Sequence, residues 1–142
     1  VSQESKFEDF LKWKSYGLWE KPSVPFQTLK GLNPLCGDEI YIYYKIEKNH
    51  SIQILGLGGE SCSICAAAAG FLFKNKSKLD PNQFQSYLEN RKKFLDGEDS
   101  CLIEDKEELS FFTVLRNHPG RYRCGLLPWQ TLLKCKEGIY DS

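Results

Sequence analysis

Methionine is absent from this chain of 142 residues, and histidine occurs only twice. With His50 and His118 the sole imidazoles, no Ser-His-Asp arrangement for nucleophilic catalysis is legible. Net charge is lacking too, since 19 lysines and arginines cancel 19 acidic residues. That balance argues against a protein whose main task is gripping nucleic acid. No stretch approaches the roughly 20 consecutive apolar residues of a membrane span. The polar start VSQESKFED does not read as a secretory signal, so a cytoplasmic protein is expected. Repeats, low-complexity tracts and linkers are missing as well, which predicts one domain over residues 1–142. Apolar residues at 41% and charged residues at 27% are the balance of a globular chain and exclude disorder.

The elements run helix, strands, then helices. Phe7, Phe10 and Leu11 recur at helical spacing, and Gly17, Pro22 and Pro25 end that run. A short extended stretch is expected around Val24 to Leu29. In DEIYIYYKIE, Ile40, Ile42, Tyr44 and Ile46 share one face of a strand. Lys48-Asn49-His50-Ser51 reads as a turn into a second strand carrying Ile52, Ile54 and Leu55. Beyond Cys62, the residues Ile64, Ala67, Ala68, Phe71 and Leu72 form a helical stripe. Asp80-Pro81-Asn82-Gln83 opens the next helix as a capping box, with Phe84, Tyr87 and Leu88 on its inner face. An acidic loop over residues 96–100 separates it from a short helix bearing Phe111, Val114 and Leu115, stopped at residues 117–120. A last helix carries Leu126, Trp129 and Leu133, with Pro128 in its first turn. Strands followed by a run of helices predict an α+β domain, a small antiparallel sheet with helices packed on one face.

Six cysteines stand in the chain, at 36, 62, 65, 101, 124 and 135. A chain this long buries a core without disulfide staples, so they read as metal ligands, reactive thiols or small buried residues. Cys36 lies in a tight turn before the first long strand, Cys62 at the start of the alanine-rich helix, and Cys124 just before the final one. A sheet end and two helix N-termini can meet at one edge of such a domain. Helix N-termini favour thiolate, the form that binds metal and attacks sulfur. With Asp38 the three thiolates would fill a tetrahedral zinc site bearing two net negative charges. Arg121 and Arg123 are placed to offset that charge, because guanidinium stays charged when desolvated.

NPLCGD (33–38), GGESCSI (58–64) and RYRCGLLPW (121–129) resemble the three cysteine signatures of the SufU/IscU family, the NifU N-terminal-like iron–sulfur assembly proteins. The long interval between the second and third signatures resembles the SufU branch. So does Arg123, where IscU-type members carry histidine, and so does Asn117-His118-Pro119-Gly120-Arg121, where they carry a chaperone-docking motif. The resemblance implies a Zn2+ ion held by Cys36, Asp38, Cys62 and Cys124. It also implies transfer of persulfide sulfur from a SufS-like cysteine desulfurase, with Cys36 the acceptor, so that the pair acts as a sulfurtransferase. The IscU-like alternative builds an iron–sulfur cluster on the same ligands, with Cys124 a second candidate acceptor. It then passes the cluster to apo iron–sulfur proteins or downstream assembly factors. A third reading, from another class, is a zinc-stabilised interaction module without sulfur chemistry.

The remaining candidates have plainer readings. Cys65 completes a Cys-x-x-Cys spacing with Cys62, yet three residues along a helix turn it from the other ligands. Cys101 and Cys135 read as incidental, His118 as part of a helix stop and His50 as a solvated turn residue. Tyr41, Tyr43 and Tyr44 alternate across a strand as sheet packing rather than as a base-stacking platform. Gly56, Gly58 and Gly59 are followed by no Lys-Ser/Thr and form no phosphate loop. Lys74, Lys76, Lys78 and Arg91-Lys92-Lys93 read as solvated helix ends.

Overall fold

A computed structural model describes residues 3–98 and 103–141. Cys101 and the end of the acidic loop, Asp99 and Ser100, lie outside the described residues. Helix α1 (Gln3–Lys14) leads into strands β1 (Gln27–Asn33), β2 (Asp38–Ile46) and β3 (Ile52–Gly58). Helices α2 (Ser63–Lys74), α3 (Phe84–Leu95), α4 (Lys106–Leu115) and α5 (Tyr122–Asp141) follow. The strands form one antiparallel sheet in the order β1-β2-β3, so the expected α+β architecture is present.

Period-two burial makes the sheet one-sided. Leu29, Ile40, Ile42 and Tyr44 face the core, and α5 covers β1 and β2 while α2 lies against β3. Tyr43 is buried on the opposite face, where it packs against the Phe26 ring at 5.1 Å and over Gly56 and Gly58, while the irregularity between Tyr43 and Tyr44 leaves Leu55 of β3 unpaired. Ile46, expected on the inner face, is exposed beyond that irregularity. The first strand begins three residues later than the stretch expected from Val24, with Pro25 and its neighbours preceding it.

Helix α2 is more central than a stripe implies, for every residue from Cys65 to Leu72 is buried. Its run of alanines lets α1 and α5 approach from two sides. Among the described side chains of α1, Trp13 is buried and packs on Phe71 and Phe111, whereas Leu11 is exposed; Phe7 lies outside them. Asp80 caps a 3-10 turn at Pro81–Gln83 by accepting from the Asn82 amide, and Gln83 makes no side-chain cap bond to α3. Pro128 lies inside α5, whose first residue is Tyr122, rather than in its first turn. Lacking an N–H, Pro128 cannot close the helical bond to the carbonyl of residue 124.

Of the basic stretches, Lys74, Lys78 and Lys93 are exposed as expected, whereas Arg91 is not. Arg91 is buried, donating from Nε and Nη2 to the two carboxylate oxygens of buried Glu108 at 2.9 and 2.8 Å and stacking 3.9 Å over the Trp129 ring. Lys74, although exposed, lies over the Tyr16 ring and pairs with Asp105 and Glu107. The position of Arg91 explains its burial: it follows Phe84 and Leu88 on the inner face of α3.

Candidate metal centre

Three elements converge at one edge of the sheet. Asn33 and Asp38 are the last paired residues of the β1–β2 ladder, and Pro34-Leu35-Cys36-Gly37 forms the loop between them. The Cys36 amide donates to the Asn33 carbonyl at 3.2 Å, and Gly37 takes φ +70°, a conformation open to glycine at little cost. The loop therefore raises Cys36 to an exposed tip while Asp38, one step into the strand, is only 2% exposed.

Asp38 is fully engaged despite its burial. Its Oδ1 accepts from the Cys62 amide at 2.8 Å, and its Oδ2 accepts from Asn33 Nδ2 at 3.3 Å. Cys62 is the N-cap of α2, with its sulfur 3.9 Å from Asp38 Oδ2 and accepting from the Cys65 amide at 3.5 Å. The carboxylate thus ties the sheet end to the helix start, using a backbone donor that a helix N-terminus leaves free. Cys124, in the first turn of α5, completes the group; Asn33 Nδ2 lies 3.6 Å from its sulfur. Ligand atoms of Cys36, Asp38 and Cys124 lie within 4.8 Å of one another.

The electrostatics depart from the simple helix-terminus expectation. Burial pushes the Cys124 thiol up, with Arg121 pulling the other way and Cys36 and Asp38 adding to the rise. Hydrogen bonding to Cys124 and Cys62 strengthens the hold of Arg121 on its proton, so its charge is permanent. The Arg121 Nε is buried without a hydrogen-bond partner, so one donor of that side chain remains to be satisfied. Arg123, by contrast, is exposed. Two thiols and one carboxylate are gathered there, the chemistry of a divalent-metal site, with Arg121 as a counter-charge; Cys62 lies outside that mutual group, its sulfur 3.9 Å from Asp38 Oδ2.

Sequence reading passed over Asn33, whose amide bonds both Asp38 and Cys124; an asparagine closing a strand pair just before a proline was the available signal. Cys65 is fully buried, directed inward beneath the N-cap, and Cys135 is buried against Tyr44, with burial pushing its thiol up to about 12. Cys36, Cys62, Cys65, Cys124 and Cys135 are all free thiols. His118 and His50 are exposed turn residues, and Tyr41 stacks on Tyr43 as sheet packing.

The iron–sulfur cluster assembly scaffold protein IscU of Thermotoga maritima is 29% identical to this chain over 111 residues, 78% of this chain and 76% of that protein. Among solved structures, a protein assigned as an assembly scaffold of the SUF system from Fervidobacterium islandicum superposes with a TM-score of 0.70 at 21% identity, covering 88% of this chain and 91% of its own. A NifU-like N-terminal protein from Brucella abortus reaches a TM-score of 0.78 at 13% identity, covering 95% and 94%. No protein-family model matches the chain. Among the described residues, the three-stranded antiparallel sheet and five α-helices share the fold of these NifU-like neighbours, with a cysteine–aspartate group at the sheet edge. In its fold and its cysteine signatures the chain is similar to the SufU/IscU family of iron–sulfur cluster assembly proteins.

Proposed function

We propose that this protein accepts persulfide sulfur from a cysteine desulfurase, with zinc as its resident metal, in the manner of the SufU branch. The observation that carries the reading is the contrast between Cys36, exposed on its loop, and the buried carboxylate and thiol behind it. An acceptor must reach into a partner's site, while the groups that poise it must stay dry. Leu35, 75% exposed beside Cys36, gives that tip an apolar edge for contact.

Cys36, Asp38, Cys62 and Cys124 would hold the ion, which when bound favours the deprotonated form of its thiol ligands. In the transfer, the Cys36 thiolate attacks the outer sulfur of the desulfurase persulfide. A new S–S bond forms on Cys36 as the old one breaks, and the electron pair leaves with the enzyme's own cysteine as thiolate. No outside oxidant is needed. Arg121, hydrogen-bonded to two thiols, offsets negative charge at the site. No helix among the described residues is long and apolar enough to cross a membrane, which agrees with a cytoplasmic setting for such a partnership.

The scaffold reading draws on the same donors and on the relative from Thermotoga maritima. The deciding experiment incubates the protein with a cysteine desulfurase and cysteine, then maps persulfide by mass spectrometry and follows sulfide release under reducing conditions. Persulfide should appear on Cys36 and release should accelerate, and Cys36→Ala should abolish both. Equal acceleration by the wild type and Cys36→Ala would move acceptance elsewhere, first to Cys124.

A further inference from the structure

Cys65 is the thiol that the metal reading leaves over. It stands at the third residue of α2, and its amide donates to the sulfur of Cys62 at the N-cap. The two residues therefore share the first turn of one helix, close enough for their side chains to meet. Cys62 is partly exposed and Cys65 is completely buried beneath it, hydrogen-bonded with Ser61. This asymmetry separates two roles. The reachable sulfur beside amide donors and the Arg121 guanidinium is the one an incoming electrophile meets. The enclosed sulfur, with no exposed surface, is out of reach of a solvent oxidant until its neighbour has reacted.

We infer that Cys62 and Cys65 form an oxidation site, in which a hydroperoxide converts the pair to a disulfide within the first turn of α2. In the first step the Cys62 sulfur attacks the peroxide. An S–O bond forms, the O–O bond breaks, and the peroxide leaves as water or an alcohol, giving a sulfenic acid on Cys62. In the second step Cys65 attacks that sulfur, its proton joining the departing hydroxyl, and water is released as the S–S bond closes. The two sulfurs lose two electrons in total and the peroxide gains them. Residues three apart on a helix have Cβ atoms about 5–6 Å apart, somewhat more than a disulfide takes, so closure asks for a local shift of the first turn of α2 rather than unfolding. The bond itself does not depend on any metal. It would, however, remove Cys62 from the donor group around Asp38.

Trypsin makes the test specific. Cleavage at Lys48 and Lys74 leaves both cysteines in one peptide, whereas Cys36 and Cys124 fall in two others. The full chain, and the same chain with Cys36→Ser, is treated with hydrogen peroxide, alkylated and digested. The expected result is a peptide over residues 49–74 that is lighter by two hydrogens, resists alkylation, and regains two reactive thiols after dithiothreitol. Cys65→Ala, which extends the alanine run of α2, should fold, lose this product, and leave a sulfenic acid on Cys62 that dimedone captures. Three results would overturn the inference: a 49–74 peptide that stays reduced, a bond linking it to the Cys36 or Cys124 peptide instead, or a disulfide-type product surviving in Cys65→Ala.

Discussion

Each oxygen of Asp38 has a separate duty. Oδ1 holds the Cys62 amide and so fixes the entry of α2, while Oδ2 faces Asn33 and the sulfur of Cys62. Asp38→Ala removes both at once. If zinc is the working metal, affinity measured by chelator competition should weaken by about 10–100-fold and thermal stability should fall, since metal binding is part of the folding energy. If the protein is a scaffold, the carboxylate is the weak ligand that lets a cluster leave, because oxygen suits an iron–sulfur centre less well than thiolate. The variant would then keep zinc as tightly as before and hold a reconstituted cluster longer, as read by visible absorbance. Cys36 and Asp38, two of the three donors that the fold gathers, were legible because Pro34 and Gly37 mark a turn around them. Asn33 was not, for its role depends on a partner 91 positions away, and no local spacing records that.

Helix α4 begins where α2 ends, and Asp105 joins them. Its carboxylate accepts from the amides of Glu107 and Glu108 as an N-cap, from Asn75 Nδ2 at 2.9 Å, and pairs with Lys74 at 3.2 Å. Burial alone would raise the pKa of this group; the hydrogen bonds from Asn75, the two amides and Lys74 outweigh it and hold the carboxyl below its ordinary range. A carboxyl depressed in the folded state stabilises above its unfolded value, about pH 4, and that contribution drains away as pH falls through the folded value. Asp105→Ala should therefore cost about 0.5–2 kcal/mol near neutrality by urea unfolding. The gap from wild type should narrow in strong acid; a gap that holds constant there would show that charge has no part in the cap. Element types were readable from periodicity, but Pro128 was misassigned because α5 starts earlier than its apolar stripe. Tyr122 anchors that start by donating to the carbonyls of Leu95 and Arg116, contacts that link separate elements.

Across the molecule, the Arg91–Glu108 pair joins α3 to α4 beside Trp129, in the same core that seats α5. Glu108→Ala would leave a guanidinium buried without its counter-charge, which typically costs about 3–5 kcal/mol. Chemical denaturation should register that loss, and Arg91→Met combined with Glu108→Leu should recover much of it. Recovery would mark the pair as a choice of specificity over stability, whereas an equally unstable double variant would mean that its hydrogen bonds carry the packing. Both charges could be found in advance only by noting that they interrupt apolar stripes, Phe84-Leu88-Arg91 on one helix and Glu108-Phe111-Leu115 on the other. The order in which the donors occur along the chain has a further consequence. The β1–β2 hairpin sets Cys36 beside Asp38, and β3 returns Cys62 to the Asp38 carboxylate, early in synthesis and through pairings that are close in sequence. Cys124 arrives only after α3 and α4 have left the ribosome and α5 has docked on β1, a long-range closure of the slow kind. A half-translated chain thus exposes three donors and no fourth, so stable capture of an ion would be a sign that translation has passed α5 and the last helix is home.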